Sequence, residues 1–87
     1  MTLYRDSWSP AAAKAYEKRS PELKRRIDDA LDEILADPRH APNVKPLKGE
    51  LRGIFRRRIG DWRLFFSIDH VEHVVRVLVL SDRKDAY

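Results

Sequence analysis

Apolar side chains recur at helical spacing in one long segment of the chain. They form a single stripe made of Leu23, Ile27, Ala30, Leu31, Ile34 and Leu35. Ser20-Pro21 supplies a helix N-cap followed by proline at the first helical position, and Asp37-Pro38 ends the pattern. The segment is therefore predicted to be a helix whose apolar stripe covers a sheet.

The residues ahead of this helix predict a strand and a shorter helix. Thr2 to Trp8 alternates loosely and indicates a first strand at a sheet edge. Ser9-Pro10 repeats the serine–proline start, and the alanine-rich stretch from Ala11 to Lys18 follows it as a helix. His40 to Pro46 contains two prolines, has no periodicity and is predicted to be a loop.

The second half of the chain changes to strand-like sequence. Strands rich in β-branched, aromatic and aliphatic residues are predicted over Leu51 to Ile59, Trp62 to Asp69 and Val74 to Leu80. Gly60-Asp61 joins the first two as a tight turn, and His70-Val71-Glu72 joins the last two. The order β-α-α-β-β-β predicts an α+β fold with one antiparallel sheet and both helices packed on one face.

Strand alternation assigns the faces of this sheet. The buried face of the central strand is predicted to carry Trp62, Leu64, Phe66 and Ile68. The last strand allows two registers, because Val75, Val77 and Val79 on one face and Leu78 and Leu80 on the other are both credible core sets.

Four arginines lie within eight residues of the predicted hairpin, at positions 56, 57, 58 and 63. A two-residue turn places Arg58 opposite Arg63 and Arg56 opposite Phe65, so these three arginines share one face while Arg57 lies on the other. Like charges opposed across a sheet are destabilising. The pattern therefore indicates an anionic ligand, which we interpret as a nucleic-acid phosphate backbone bound by Arg56, Arg58 and Arg63, with Phe65 as a base-stacking candidate.

The charge distribution supports this interpretation. The net charge is +4, and residues 45–63 alone carry seven basic and two acidic side chains, whereas residues 1–44 are balanced at eight of each. Such a local excess is typical of a surface for nucleic acid or an acidic protein. The charged tail Arg83, Lys84 and Tyr87 joins this surface if the last strand places it beside the hairpin.

Length and composition limit the remaining possibilities. The 87 residues are expected to form one domain, and the absence of cysteine excludes disulfides and thiolate sites. With neither a membrane-length apolar run nor a secretion-signal pattern at the start, a cytoplasmic location is expected.

His40, His70 and His73 are interpreted as surface residues rather than a metal site. Asp28, Asp29, Asp32 and Glu33 are interpreted as the solvent side of the long helix.

The chain resembles the RelE/ParE toxin superfamily, and most closely its RelE branch. The resemblance rests on Leu47 to Phe66, where an aromatic residue precedes basic residues two apart and Gly-Asp-aromatic-Arg follows, together with Arg83 and Tyr87 near the end of the sequence. It extends from Trp8-Ser9-Pro10 to Tyr87.

The resemblance implies the toxin of a toxin–antitoxin pair that cuts mRNA in the ribosomal A site. It implies attack of a ribose 2′-hydroxyl on the adjacent phosphate without metal or cofactor, and a RelB-like or similar small antitoxin as partner. Promoter DNA would be bound only through the antitoxin complex, and no membrane is involved. By motif, the catalytic positions are Arg56, Arg58, Arg63, Arg83 and Tyr87, and the RNA-binding positions add Lys48, Arg52, Lys84 and Phe65.

The sequence departs from its relatives in one chemical respect. RelE-like proteins often carry lysine at the hairpin positions, and Asp82 stands where many relatives have histidine or lysine. Arginine is a poor general base, so a desolvated arginine, Lys84, Asp82 or a ribosomal group must take the proton. Two alternatives stay open: a ParE-like toxin that binds DNA gyrase, and a catalytically weak module that only binds its antitoxin.

Overall fold

Five strands form one sheet in the part of the chain that the computed structural model describes, which is residues 3–82. The elements in chain order are β1 Arg5–Trp8, α1 Pro10–Glu17, α2 Pro21–Ala36, β2 Val44–Pro46, β3 Ile54–Ile59, β4 Trp62–Asp69 and β5 Val74–Asp82. The strands lie in the order β1-β5-β4-β3-β2. Between residues 3 and 82, no helix is long and apolar enough to cross a bilayer.

The sheet is mixed rather than wholly antiparallel. The α+β class and the two N-terminal helices are confirmed, and β2 to β5 pair antiparallel, but β1 runs parallel to β5 with Arg5 opposite Val74 and Trp8 opposite Val77. The prediction of one antiparallel sheet was therefore wrong at β1. Parallel pairing needs a long crossover, and the chain between β1 and β5 contains both helices.

A short edge strand lies inside the predicted loop. Val44–Pro46 forms β2 and pairs with β3, with Val44 opposite Arg57 and Pro46 opposite Phe55. Three residues are too few to show a period, and proline is tolerated on an edge strand. β3 starts at Ile54 rather than Leu51, because Gly49–Leu51 is a 3₁₀ turn and Gly53 has a positive φ of 98°.

Both helices begin where the serine–proline pairs predict. The Ser9 hydroxyl accepts a hydrogen bond from the Ala12 amide at 3.0 Å and donates one to the Leu78 carbonyl at 2.8 Å, which ties α1 to β5. The Ser20 hydroxyl accepts from the Leu23 amide at 3.2 Å. Capping fixes the start of each helix, and the apolar stripe of α2 then faces the sheet.

The core lies between α2 and the centre of the sheet. Its largest fully buried side chains come from α2, β4 and β5: Ile27, Ile34, Leu64, Phe66, Val75 and Val77. A register shift opposite Phe65 and Phe66 leaves Leu78 as an extra residue in β5, since Phe66 pairs with Val77 and Phe65 with Val79. Because of this β-bulge, the buried residues of β5 combine members of both predicted core sets. Val75, Val77 and Leu80 are buried, while Leu78 and Val79 line the face that carries no helix.

Candidate nucleic-acid interface

The β3–β4 hairpin has the predicted register. Ile59 pairs with Trp62, Arg58 with Arg63, and Arg56 with Phe65. Gly60 has a positive φ of 61°, a conformation that glycine adopts without strain in a two-residue turn. The turn therefore fixes which arginines share a face.

Arg57 is separated from its neighbours by the pleat of the strand. Its guanidinium donates to Glu33 Oε2 of α2 at 3.1 Å and to the Pro42 carbonyl at 2.7 Å. Its side chain is only 11% exposed. Arg57 thus binds the sheet to α2 and to the segment before β2, on the helix-covered side.

The other three arginines form what we call the arginine face: Arg56, Arg58 and Arg63 on the helix-free side of the sheet. Arg58 is exposed, and Arg56 and Arg63 are half-buried. Within residues 3–82 none of the three forms an ion pair. Arg58 and Arg63 are directly opposed, an arrangement of like charges that is destabilising across a sheet.

Two buried polar atoms on this face lack hydrogen-bond partners in the described part of the chain. They are Nε of Arg56 and Oγ of Ser81, and Ser81 pairs with Arg63 across β4 and β5. A buried group without a partner costs about 1–3 kcal/mol. A bound ligand or ion that supplies the missing hydrogen-bond partner is one explanation for a buried polar atom of this kind. Ser81 was not identified from the sequence, because the register of β5 was open.

Lys45 extends the arginine face and was also missed. It is exposed and lies opposite Arg56 in the β2–β3 pair, which puts both side chains on the same side of the sheet. Sequence reasoning treated residues 40–46 as a loop, so no facing partner was assigned. The charge distribution could have indicated Lys45, because this residue is the first of the basic segment 45–63.

An apolar hollow adjoins the arginines. It has a volume of about 330 Å³ and is lined by Leu47, Leu51, Ile54, Phe65, Leu78 and Val79. Phe65 lies on the arginine face as predicted, but it is only 7% exposed. In this structure its ring is therefore a wall of the hollow rather than an open platform for a base.

The remaining predicted residues fall into two groups. Lys48 and Arg52 are exposed and flank the 3₁₀ turn at Gly49–Leu51, next to the hollow. Arg83, Lys84 and Tyr87 lie outside the described residues. Asp82 pairs with Trp62 and so falls on the helix-covered side by strand alternation, away from Arg63.

The histidines lie outside the arginine face. His40, His70 and His73 are exposed, with His40 Nδ1 3.0 Å from an Asp37 carboxylate oxygen and His70 Nδ1 3.0 Å from the Tyr4 hydroxyl. Residues 3–82 contain no group of three histidine, aspartate or glutamate side chains arranged to hold a metal ion.

Two pKa shifts occur elsewhere in the molecule. The backbone amide of Glu72, with help from Arg76 and the Val71 amide, lowers the pKa of Asp69 in the β4–β5 turn. A hydrogen bond to the Asp28 carboxylate raises the pKa of the Tyr16 hydroxyl. Neither group contributes to the arginine face.

The fold is that of the small toxins of the RelE/ParE superfamily. The model of the ParE toxin of type II toxin–antitoxin systems matches residues 7–87. The chain belongs to this family of toxins.

Solved structures support the same assignment. A chain of the RelBE2 toxin–antitoxin complex from Mycobacterium tuberculosis superposes with a TM-score of 0.82 at 27% identity, covering 98% of this chain and 97% of that chain. A chain of the archaeal RelE–RelB complex from Pyrococcus horikoshii gives 0.80 at 27% identity over 98% and 100%. The intact RelBE complex of E. coli gives 0.77 at 18% identity over 91% and 95%. Among curated proteins, none matches the sequence significantly.

Proposed function

We propose that this toxin is a ribosome-dependent mRNA endoribonuclease whose active site is the arginine face. The observation that carries the proposal is the set of guanidinium groups on an open sheet face, without ion pairs in residues 3–82 and with unpartnered polar atoms beside them. Guanidinium groups bind phosphate in bidentate geometry and stay charged at physiological pH. The likeness to chains of RelE–RelB complexes at 27% identity supports the RelE branch.

The proposed reaction is a transesterification. The ribose 2′-oxygen forms a bond to the adjacent phosphorus and loses its proton, while the bond from phosphorus to the 5′-oxygen breaks and that oxygen takes up a proton. The products are a 2′,3′-cyclic phosphate and a 5′-hydroxyl. Arg63 stabilises the charge on the scissile phosphate, and Arg56 and Arg58 hold the mRNA phosphates. By resemblance, Arg83 lies near the leaving oxygen and Tyr87 orients the substrate.

The arginine face supplies charge stabilisation rather than proton transfer. Arginine keeps its proton at physiological pH, which makes it a poor general base. Asp82 faces the other side of the sheet, opposite Arg63's side. We therefore assign removal of the 2′-hydroxyl proton to a group beyond this face, with Lys84 and a ribosomal group as the candidates.

We further propose a RelB-like antitoxin as the partner that neutralises this toxin. Several structurally similar chains were solved in complexes with RelB antitoxins. The arginine face beside an apolar hollow suits a segment that carries both acidic and apolar side chains.

A second candidate function is inhibition of DNA gyrase by binding. It is favoured by the family model, which describes ParE toxins. Under this alternative the arginine face would contact protein, and no RNA would be cut.

Replacing Arg63 by alanine tests the proposal. Toxicity and new cuts in a reporter mRNA, mapped by primer extension after brief induction, should disappear in Arg63→Ala and in Arg83→Ala. Both should persist in Arg39→Ala, which removes an exposed arginine away from the arginine face. Fold stability should change by no more than about 0.5 kcal/mol in each variant.

The cuts should also require translation, so they should be absent when initiation is blocked. Unchanged growth arrest in both Arg63→Ala and Arg83→Ala, at equal soluble protein, would overturn the active-site assignment. Growth arrest without cuts, together with loss of gyrase supercoiling activity, would support the ParE-like alternative.

A further inference from the structure

A second group of cations lies at the corner between α1 and α2. Residues 18–26 contain five basic side chains and one acidic side chain, Glu22. We call the five the basic corner: Lys18, Arg19, Lys24, Arg25 and Arg26. The next eleven residues, 27–37, carry five acidic side chains and no basic one. The balanced charge of residues 1–44 therefore hides two opposite surfaces.

The dipole of α2 does not favour this arrangement. The N-terminal end of a helix carries partial positive charge, so acidic side chains are favourable there and cations are favourable at the other end. In α2, Glu22 lies in the first turn, Lys24, Arg25 and Arg26 follow it, and the other acidic residues lie between Asp28 and Glu33, ahead of a last turn without a basic residue. The three cations therefore gain nothing from the dipole, and binding of an external partner is one explanation for them.

The basic corner is continuous with the tip of the β3–β4 hairpin. The guanidinium of Arg19 lies 4.4 Å from the centre of the Trp62 ring, and its Nε donates to the Ala15 carbonyl at 2.8 Å. The guanidinium of Arg26 lies close to Gly60, since a Cβ added to that glycine would come within 2.9 Å of its NH2 nitrogen. The opposite side of the same hairpin carries Arg58 and Arg63.

Between residues 3 and 82, none of the five cations of the corner forms an ion pair. Lys24 has an aromatic contact instead, with its ammonium 5.6 Å from the Tyr16 ring centre. Glu22 and Asp61 border the same region, and Glu17 precedes Lys18, so cations outnumber the carboxylates there.

We propose that the basic corner is a second RNA-binding surface, which holds the phosphate backbone of structured ribosomal RNA while the arginine face acts on mRNA. This proposal rests on the proposed function. Fixed charge without base-reading groups suits backbone binding. Arg19 stacks on Trp62 and is held through Nε, so its two terminal guanidinium nitrogens are the donors that would bind phosphate. The basic corner would bind ribosomal RNA on one side of the hairpin, and the arginine face would bind mRNA on the other side.

The test compares two triple variants of equal charge change in the full chain. Lys18→Gln, Lys24→Gln and Arg25→Gln remove three of the five charges of the basic corner and retain Arg19 and Arg26, the two arginines that contact the hairpin. Arg5→Gln, Lys14→Gln and Arg39→Gln are the control, because all three are exposed cations elsewhere. Both triple variants also carry Arg63→Ala, so that the mRNA is not cut during the measurement. The affinity of each toxin variant for ribosomes programmed with mRNA is then measured over a range of salt concentrations.

The corner variant should bind ribosomes roughly tenfold more weakly near 0.1 M salt, with a salt slope shallower by about 3, or about 1 for each lost phosphate contact. Its affinity for a short single-stranded RNA and for the antitoxin should match the control. Equal weakening in both triples, no weakening, or loss of antitoxin binding instead would overturn the inference. If the corner variant binds ribosomes more weakly but the wild type cuts no mRNA, the proposed nuclease activity is overturned and the proposed binding surface is not.

Discussion

Arg56, Arg57 and Arg58 are consecutive in β3, yet their side chains have different surroundings. Arg57 is held between Glu33 and the Pro42 carbonyl, whereas Arg58 is exposed on the other side of the sheet. The difference follows from the pleat, since successive side chains of a strand point to opposite faces. One run of arginines therefore supplies both a packing contact and exposed cations on the opposite face.

This difference predicts opposite phenotypes for neighbouring substitutions. Arg57→Ala should lower the free energy of unfolding by about 1 kcal/mol, because it removes a partly buried ion pair and a hydrogen bond to a carbonyl. Under conditions in which the Arg57→Ala variant is folded, its rate of mRNA cleavage should equal that of the wild type. Arg58→Ala should leave stability within about 0.5 kcal/mol and reduce cleavage. Urea unfolding and ribosome-based cleavage check the pair, and the reverse pattern would contradict the assignment of faces.

The sequence alone predicted which side chains face each other wherever a tight turn fixed the register of two strands. Gly60-Asp61 determines the facing pairs of β3 and β4, so the placement of Arg56, Arg58 and Arg63 was confirmed. Ser81 and Lys45 were missed because their facing partners depend on a bulge and on a three-residue strand. Neither feature leaves a periodic pattern to follow.

At the element scale, the turn between β4 and β5 depends on one carboxylate. Asp69 accepts hydrogen bonds from the amides of Val71 and Glu72 and from Arg76 at 3.1, 2.9 and 3.3 Å. These bonds favour the ionised form, which is why the pKa of Asp69 is lowered. The carboxylate therefore stabilises the folded state above the ordinary aspartate pKa, and this stabilisation is lost as pH falls through the lowered value.

Asp69→Asn should consequently flatten the acid side of the stability profile. The wild type should lose urea resistance as pH falls from about 5 towards 2, and the variant should lose less over this window while being less stable at neutral pH. Asp32→Asn, an exposed change on α2, is the control and should follow the wild type. Identical profiles for wild type and Asp69→Asn would show that these bonds do not affect stability.

Elements also differ in how well local sequence predicts them. The two serine–proline starts, the stripe of α2 and the span of β4 were confirmed, because each is set by neighbours in the chain. The parallel pairing of β1 with β5 was not predicted, since a strand's own residues do not specify the direction of its neighbour. The β5 bulge likewise depends on packing against α1 and β4.

At the scale of the whole molecule, positive charge lies on both sides of one hairpin. The arginine face is on the helix-free side of the sheet, and the basic corner is reached through Arg19 and Arg26 at the hairpin tip. The net charge of +4 indicates neither surface by itself. An RNA partner at both places would explain why cations that form no ion pair within residues 3–82 are grouped on both sides of the hairpin, where strand pairing disfavours two of them.

The central claim is that this toxin cuts mRNA on the ribosome by 2′-hydroxyl attack at the arginine face. The most direct measurement incubates the purified toxin with ribosomes programmed with two mRNAs, which differ only by a 2′-deoxy nucleotide at the cleavage position. We predict that the all-ribose mRNA is cut, leaving a 2′,3′-cyclic phosphate and a 5′-hydroxyl. The deoxy mRNA and ribosome-free mRNA should stay intact. Cleavage of the deoxy mRNA, or intact all-ribose mRNA with a toxin preparation that still arrests growth, would contradict the claim.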